Sequence, residues 1–196
     1  PASDGPGLSE AAEGPRWRRG RLLVASPALV DPNFRRTVVL MLEHNDDGAL
    51  GVVLNRPTEL VAREALPGAL AAAMREGDLI HQGGPVQPET VIVLGDFTEP
   101  DASSGLAFAE VGIVDPEADL DALPSRVRSV RAFGGYAGWA AGQLESEIEQ
   151  EAWIDADPQA ADVFGDDPDG LWARVLERKG GQYRLVARMP EDPSLN

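Results

Sequence analysis

The most constraining feature of the sequence is a hairpin signal over residues 37–55, TVVLMLEHNDDGALGVVLN. Residues 37–42 are apolar at consecutive positions and rich in β-branched side chains, which indicates a strand covered on both faces. Asp47-Gly48 predicts a tight turn, because glycine tolerates the positive φ angles that such turns require. The return strand ends at Asn55, so antiparallel pairing should bring Asn55 beside residues 34–38.

The remaining elements favour an α+β fold. Helices are predicted over residues 60–75, split in two by Pro67-Gly68, over residues 138–150, and in the segment DPDGLWARVLERKGG. Further strands are predicted at residues 78–82, 90–94, 110–114, 127–133, 152–154 and 183–187. Because strands outnumber helices, occur partly as hairpins and do not alternate regularly with helices, a doubly wound nucleotide-binding fold is the weaker alternative.

Length and composition predict one domain behind a short tail. The chain has 196 residues, of which 43% are apolar, and this is enough to bury the core of a single domain over residues 16–196. Residues 1–15 are polar and punctuated by glycine and proline, so we expect a disordered tail. No apolar stretch is long enough to cross a membrane, and the polar start lacks a signal-peptide pattern. We therefore expect a cytoplasmic protein.

Several chemistries are excluded by the residues present. The absence of cysteine removes disulfides, thiolate metal sites and thiol nucleophiles. The only lysine, Lys179, has no P-loop around it, and no G-x-S-x-G elbow exists. His44 and His81 lack metal-ligand partners at helical spacing, and the aspartates of DADP and GDDPDG fit turns better than a calcium loop. We therefore expect a protein without cofactor or metal, and no enzymatic activity is indicated.

Three motifs form a candidate anion site. Asn55 and Arg56 follow a strand, Gly83 and Gly84 stand in the GGPV turn, and a glycine cluster is predicted at a helix start. Such positions offer backbone N–H groups or a guanidinium to an anion. The alternative is that the glycines only permit a turn and close packing. The residues of the glycine cluster are Gly134, Gly135, Tyr136 and Gly138.

A second candidate surface is a stripe of Trp139, Gln143 and Glu147, which share a face of the predicted helix at i, i+4 spacing. A large aromatic beside polar groups is typical of a core edge, a pocket wall or an interface. Charge is also unevenly placed, because arginines gather before residue 37 while residues 145–169 carry only acidic charges. These two features favour a regulatory protein that binds an unidentified protein partner, and the alternative is a small-molecule binder or a hydrolase that acts through the candidate anion site. The oligomeric state is left open.

Nucleic-acid binding is disfavoured by the formal net charge of −16, which repels phosphate backbones. Direct DNA binding would have to use a small patch of Arg126, Arg128 and Arg131, and no helix-turn-helix is evident.

The motifs together resemble one known family. The segments GRLLVASPALVDPNFRRTVVLMLEH, GALGVVLNRP, GGPV, FGGYAGWAAGQLESEI and PEDPSLN occur in the order found in the YqgE/AlgH family of bacterial proteins. The resemblance covers residues 21–196 and implies a mixed, largely antiparallel bifurcated sheet with a barrel-like part surrounded by helices. It implies no established activity, although members are often labelled as transcriptional regulators. The family's motif positions correspond to Asn55, Arg56, Pro57, Gly83, Gly84, Pro85, Gly134, Gly135, Gly138, Trp139, Gln143, Leu144 and Trp153.

Overall fold

The structure is a computed structural model that describes residues 17–191, so the predicted tail at residues 1–15 lies outside the described residues. Its strands are β1 (Leu22–Ala25), β2 (Val38–Asn45), β3 (Gly48–Val53), β4 (Pro57–Val61), β5 (Leu79–Gln82), β6 (Val86–Phe97), β7 (Ser103–Phe108), β8 (Val111–Val114), β9 (Val127–Ala140) and β10 (Trp153–Ala156). Its helices are α1 (Ala62–Ala65), α2 (Gly68–Ala73), α3 (Leu123–Arg126), α4 (Gln143–Glu149), α5 (Ala160–Phe164), α6 (Leu171–Lys179) and α7 (Tyr183–Ala187), with short 3-10 turns at Pro100–Ala102 and Leu120–Ala122.

The predicted hairpin is present as β2 and β3. Its register runs from Val39 opposite Val53 to Asn45 opposite Gly48, and one irregularity follows Met41. The backbone N–H of Leu54 donates to the carbonyl of Val38 at 2.8 Å, so the end of the return strand reaches the start of β2, as the sequence predicts. The hairpin forms because apolar residues on both faces of β2 are buried, while the turn has its glycine where φ is +140°.

The strands form one strongly curled, largely antiparallel sheet in the order β10-β1-β2-β3-β9-β6-β8-β7. This curled sheet makes a half-barrel, and the helices pack around it, which confirms the predicted α+β class. One apolar cluster joins one face of β1 and β2 to α6, and a second joins the other face to α4 and β10. β2 is therefore covered on both faces, as predicted.

The sheet forks at β9. One edge of β9 pairs with β6, while its other edge pairs first with β5 at residues 133–134 and then with β3 at residues 137–140. The β5 pairing is parallel and the others are antiparallel. A single long strand thus holds three neighbours, which is the bifurcation that the family resemblance implies.

The fork depends on close contacts between backbone segments that leave no room for side chains. A Cβ placed on Gly83 would lie 2.3 Å from the carbonyl oxygen of Gly135, and one placed on Gly84 would lie 2.2 Å from that of Tyr136. Gly135 itself has φ of +72°, a region that other residues enter only with strain. The glycines of the GGPV turn and of β9 therefore pack backbone against backbone.

The prediction of a helix from residue 138 is wrong, because β9 continues to Ala140 and α4 begins only at Gln143. The side chains of Ala137 and Trp139 are buried while Gly138 and Ala140 are exposed, and this alternation is that of a strand paired with β3. Gly142, at φ of +76°, makes the turn into the helix.

The predicted strand at residues 183–187 is also wrong, because this segment is the helix α7. Gly180 and Gly181 have φ of +79° and +57°, and the turn they make carries α7 back onto α6 instead of along a sheet edge. Both helices between residues 60 and 75 and the helix α6 are confirmed. Sequence patterns did not predict β1, β4, β7, α3 or α5.

No helix among residues 17–191 combines the length and the apolar character that crossing a bilayer requires.

The fork provides a direct test of the packing argument. Replacing Gly83 with alanine should lower the free energy of unfolding by about 3 kcal/mol, because the new methyl group meets fixed backbone. Replacing Gly68 with alanine is the matched control, since no atom beyond its chain neighbours and its own helix lies within 4 Å of its Cβ position, and should stabilise the protein by up to about 1 kcal/mol. Urea unfolding measures both variants, and equal stability of the two would contradict close packing at the fork.

Candidate functional site

The structure brings the three motifs of the predicted anion site together at the fork. The backbone N–H of Gln82 donates to the carbonyl of Arg56 at 2.7 Å, and that of Gly83 donates to the carbonyl of Gly134 at 2.8 Å. The carbonyl of Gly83 in turn accepts from Val53 at 2.8 Å. The N–H of Gly83 is thus used within the sheet.

Little room remains for an anion at the fork itself. The cavity beside Arg56, Gln82 and Gly84 has a volume of about 60 Å³, which is enough for roughly two water molecules. Gly134, Gly135, Tyr136 and Gly138 lie within β9 and do not form the predicted helix start, so no helix N-terminus faces this cavity. The glycines at the fork therefore serve close packing, and the small cavity there leaves little room for a ligand.

Asn55 links the fork to the loop before β2. Its side chain is buried, its Oδ1 accepts from the N–H of Val38 at 2.9 Å, and its Nδ2 donates to the carbonyl of Arg36 at 2.9 Å. Arg36 has φ of +54°, a left-handed conformation that is strained for a residue with a side chain. Asn55 therefore holds Arg36 in a backbone conformation that it would not adopt by itself.

The strained backbone directs the Arg36 guanidinium onto the indole of Trp172. The guanidinium carbon lies 4.3 Å from the ring centroid, which is the geometry of a cation–π contact. Trp172 is buried, and its indole N–H donates to the carbonyl of Ala25 at 2.9 Å, so the platform is fixed by β1. Arg36 is thus held at its backbone by Asn55 and at its guanidinium by Trp172.

Arg36 lines an open cavity of about 760 Å³ between the loop after β1 and the segment after α7. Arg35, Ser26, Val30, Met189 and Glu191 also line it. We name this space the arginine cavity. Sequence reasoning missed it, although the correctly predicted approach of Asn55 to residues 34–38 was a signal that this loop is held in place.

The cations at the arginine cavity are not neutralised by carboxylates. Within residues 17–191, Arg35, Arg36 and the neighbouring Arg56 make no ion pair. Their guanidinium groups donate instead to the backbone carbonyls of Glu191, Met189 and Arg35, respectively. Other arginines of the chain do pair with carboxylates: Arg18 and Arg21 with Asp155, Arg75 with Asp78, Arg128 with Glu110, Arg174 with Asp167, and Arg178 with Asp162.

Ser26 adds a polar group to the arginine cavity. The residue is 8% exposed, and its hydroxyl oxygen has no hydrogen-bond partner among the described residues. A buried hydroxyl without a partner costs about 1–3 kcal/mol. The residue lines the arginine cavity, but its hydroxyl oxygen has almost no accessible surface.

The stripe of Trp139, Gln143 and Glu147 does come together, though not on one helix. Trp139 lies in β9, and Glu147 approaches it from α4. One carboxylate oxygen of Glu147 accepts from the indole N–H groups of Trp139 and Trp153 at 2.9 and 2.8 Å, while the other accepts from Gln143 at 3.0 Å. The mixed character of the stripe thus has an explanation inside the fold.

The uneven charges of the sequence are also partly matched within the fold. Arg21 donates to both Asp155 and Asp157, and Arg178 pairs with the buried carboxylate of Asp162 at 2.6 Å. The hydrogen bond to Asp155 is the main cause that raises the pKa of Arg21. Much of the acidic stretch at residues 145–169 is therefore held by arginines from the rest of the chain.

The patch considered for DNA is not a free basic surface. Arg128 is bound to Asp96 and Glu110 at 2.8 and 2.6 Å. Arg131 is 7% exposed and donates to the carbonyl of Gly165 at 2.9 Å, and its burial lowers its pKa. Of the three arginines, only Arg126 is neither buried nor paired with a carboxylate within residues 17–191.

Both histidines are buried and bonded. His44 accepts from the N–H of Arg18 at 3.0 Å and its other ring nitrogen lies 3.2 Å from Glu145. His81 donates from Nδ1 to the carbonyl of Leu54 at 2.7 Å, and burial lowers its pKa. Within the described part of the chain, no group of three potential side-chain ligands could hold a metal ion.

The fold and site together define a half-barrel α+β protein with a cavity lined by two arginines that make no ion pair within residues 17–191. Comparison with known proteins identifies the family. Residues 22–184 match the model of the AlgH-like family, DUF179, and the chain belongs to this family. A UPF0301 protein of Streptomyces coelicolor is 43% identical over 185 residues, covering 90% of this chain and 94% of the relative. A UPF0301 protein of Chlorobaculum tepidum is 42% identical over 184 residues, with coverage of 90% and 95%.

Two solved structures are similar to the half-barrel. A crystal structure of a protein from Corynebacterium diphtheriae matches with a TM-score of 0.81 and 26% identity, covering 91% of this chain and 96% of that one. The solution structure of the AlgH protein from Pseudomonas aeruginosa matches with a TM-score of 0.68 and 31% identity, covering 91% and 97%. These names describe family membership and carry no activity.

The Glu147 cluster can be tested by truncation. Replacing Glu147 with alanine should cost about 3 kcal/mol of stability, because the indole N–H groups of Trp139 and Trp153 lose a charged acceptor while they remain buried. Glu149 lies exposed on the same helix, and its replacement with alanine should cost less than about 0.5 kcal/mol. Urea unfolding followed by tryptophan fluorescence measures both, and similar midpoints would show that the cluster does not stabilise the fold.

The lowered pKa of His81 predicts a pH dependence of stability. In the unfolded chain His81 takes up a proton near its ordinary pKa of 6.5, while the buried imidazole resists protonation. The stability that neutral His81 contributes is therefore complete above pH 6.5 and decreases as the pH falls below it, by up to about 1.4 kcal/mol per pH unit until the folded-state pKa is reached. In urea unfolding from pH 7.5 to 5, the difference in stability between wild type and His81→Gln should shrink. A constant difference would contradict a neutral, buried His81.

Proposed function

We propose that this protein is a cytoplasmic, non-enzymatic binding protein whose ligand is a small anion held in the arginine cavity. The observation that carries the proposal is Arg36, which is held in a strained conformation, stacked on Trp172 and left without a carboxylate partner among residues 17–191. Backbone strain of this kind costs about 1–3 kcal/mol and is concentrated at functional sites. The rest of the fold therefore stabilises this conformation of Arg36, which lines the arginine cavity.

The chemistry of the cavity suits an anion. A guanidinium presents N–H groups in a planar fork that matches the oxygens of a carboxylate or phosphate. A second arginine, Arg35, lines the same space. The volume of about 760 Å³ lies within the range of small-molecule sites, roughly 300–1,000 Å³.

Binding without catalysis is favoured by the residues around Ser26. A serine nucleophile needs a base within hydrogen-bond distance, and the Ser26 hydroxyl has no hydrogen-bond partner among the described residues. His44 and His81 are engaged with Glu145 and Leu54. These contacts support a binding protein over the hydrolase alternative.

A protein partner is the second candidate, and it carries the proposal of a regulatory role. It is supported by the acidic residues that remain exposed without ion pairs in the described chain, among them Glu149, Glu151 and Asp169. A basic surface would complement them. Direct DNA binding has weaker support, because Arg128 is paired and Arg131 is buried.

The proposal is tested by an amide-resolved NMR titration with acetate, inorganic phosphate, AMP and octanoate. At least one of these anions should shift the amides of residues 26–36 and 189–191, which surround the arginine cavity. Replacing Arg36 with glutamine should weaken that binding at least tenfold, because the ligand loses a charge-assisted contact of about 1.5–3 kcal/mol.

The matched control is Arg184→Gln, which removes the same charge from an exposed position on α7. It should leave affinity within about twofold, since an exposed charge contributes little at a distance. The proposal is wrong if none of the four anions shifts the cavity amides at millimolar concentration, or if both variants weaken binding equally.

A further inference from the structure

We infer that the ligand of the arginine cavity is an amphiphilic organic anion, with one carboxylate or phosphate head and an apolar body. This inference rests on the proposed function and specifies the class of its ligand. Three observations carry it: Arg35 and Arg36 are neighbouring cations in the lining, most other lining residues are apolar with Glu191 as the one carboxylate among the described residues, and the one aromatic ring in the described lining, Trp172, is covered by Arg36.

The head is recognised at the side of the cavity formed by Arg35 and Arg36. Both guanidinium groups already donate to oxygen atoms, the carbonyls of Glu191 and Met189. These carbonyls show that oxygen acceptors can be held at this position. A ligand head with full negative charge is the better acceptor for a guanidinium, because charge-assisted hydrogen bonds are about twice as strong as neutral ones.

The body of the ligand meets apolar side chains. Leu29, Val30 and Met189 line the cavity, and Val30 and Met189 are 76% and 47% exposed. Apolar side chains this exposed around a cavity mark a surface that gains free energy when it is covered. A body of methylene groups would cover it, and each methylene that leaves water tightens binding by about fourfold.

Polar ligands of similar size fit less well. Among the described lining residues, Ser26 is the only serine, threonine, asparagine or glutamine, and its hydroxyl oxygen is buried. The hydroxyl groups of a sugar or a nucleoside would therefore lose hydrogen bonds to water without full replacement. Trp172 is 3% exposed and is covered by Arg36, so it offers no platform for a purine. The volume of about 760 Å³ also exceeds what inorganic phosphate could fill.

The test compares probes that separate head from body by isothermal titration calorimetry and NMR. Hexanoate, octanoate and octyl phosphate carry both parts, acetate and inorganic phosphate carry the head alone, octanol carries the body alone, and AMP is the polar alternative. We expect octanoate or octyl phosphate to bind at least tenfold more tightly than acetate, phosphate, octanol and AMP. Octanoate should also bind roughly fifteenfold more tightly than hexanoate, from two further methylenes.

Two variants address the two parts of the site separately. Arg36→Gln should weaken octanoate at least tenfold, and circular dichroism checks that the variant is folded. Val30→Ser changes an exposed side chain, so folding is preserved, and it should reduce the gain from hexanoate to octanoate to threefold or less. Val91→Ser, at an exposed valine of β6 that does not line the cavity, is the control and should leave both affinities unchanged.

The outcomes distinguish this inference from the proposed function. Binding of AMP or phosphate in the cavity, with octanoate no tighter than acetate, overturns the amphiphilic ligand and keeps an anion site. Octanol binding as tightly as octanoate overturns the role of the anionic head. If no anion binds, both proposals fail. An affinity of octanoate that is the same in wild type, Arg36→Gln and Val30→Ser places the binding elsewhere and overturns the inference.

Discussion

The packing of backbone against backbone between the GGPV turn and β9 is the constraint on which the rest of the structure depends. Because Gly83 and Gly84 have no side chains, their peptide groups can lie against Gly135 and Tyr136. This contact lets one edge of β9 pass from β5 to β3. The end of β3 is thereby fixed, and Asn55, which follows it, is placed against the loop that carries Arg36.

Patterns in the local sequence predicted those helices and strands that interactions between nearby residues stabilise. The β2–β3 hairpin, the two helices around Pro67-Gly68 and the helix α6 follow from residues close in sequence, and all three predictions are confirmed. The approach of Asn55 to residues 34–38 followed from the hairpin alone. The last residues of β9, from Gly138 to Ala140, were mistaken for a helix start because small residues are compatible with either structure. The partners that decide, such as Gly48 opposite Ala140, lie far away in sequence.

The contents of the site were harder to predict for the same reason. Arg36 and Trp172 come from opposite halves of the chain, and only the packing of α6 on β1 brings them together. The helical spacing of Trp139, Gln143 and Glu147 identified neighbours correctly through a wrong geometry, since the turn at Gly142 brings α4 back beside the strand. The three residues are neighbours all the same, because Glu147 accepts hydrogen bonds from the buried indole N–H groups.

The hydrogen bonds from Arg35 and Arg36 to the carbonyls of Glu191 and Met189 have a consequence for how binding would be communicated. The same N–H groups would serve a ligand, so the segment after α7 competes with the ligand for them. A ligand head that took over these N–H groups would free the two carbonyls, while the curled sheet stays as it is. Binding would then be accompanied by a local change in the backbone hydrogen bonds of the cavity wall itself.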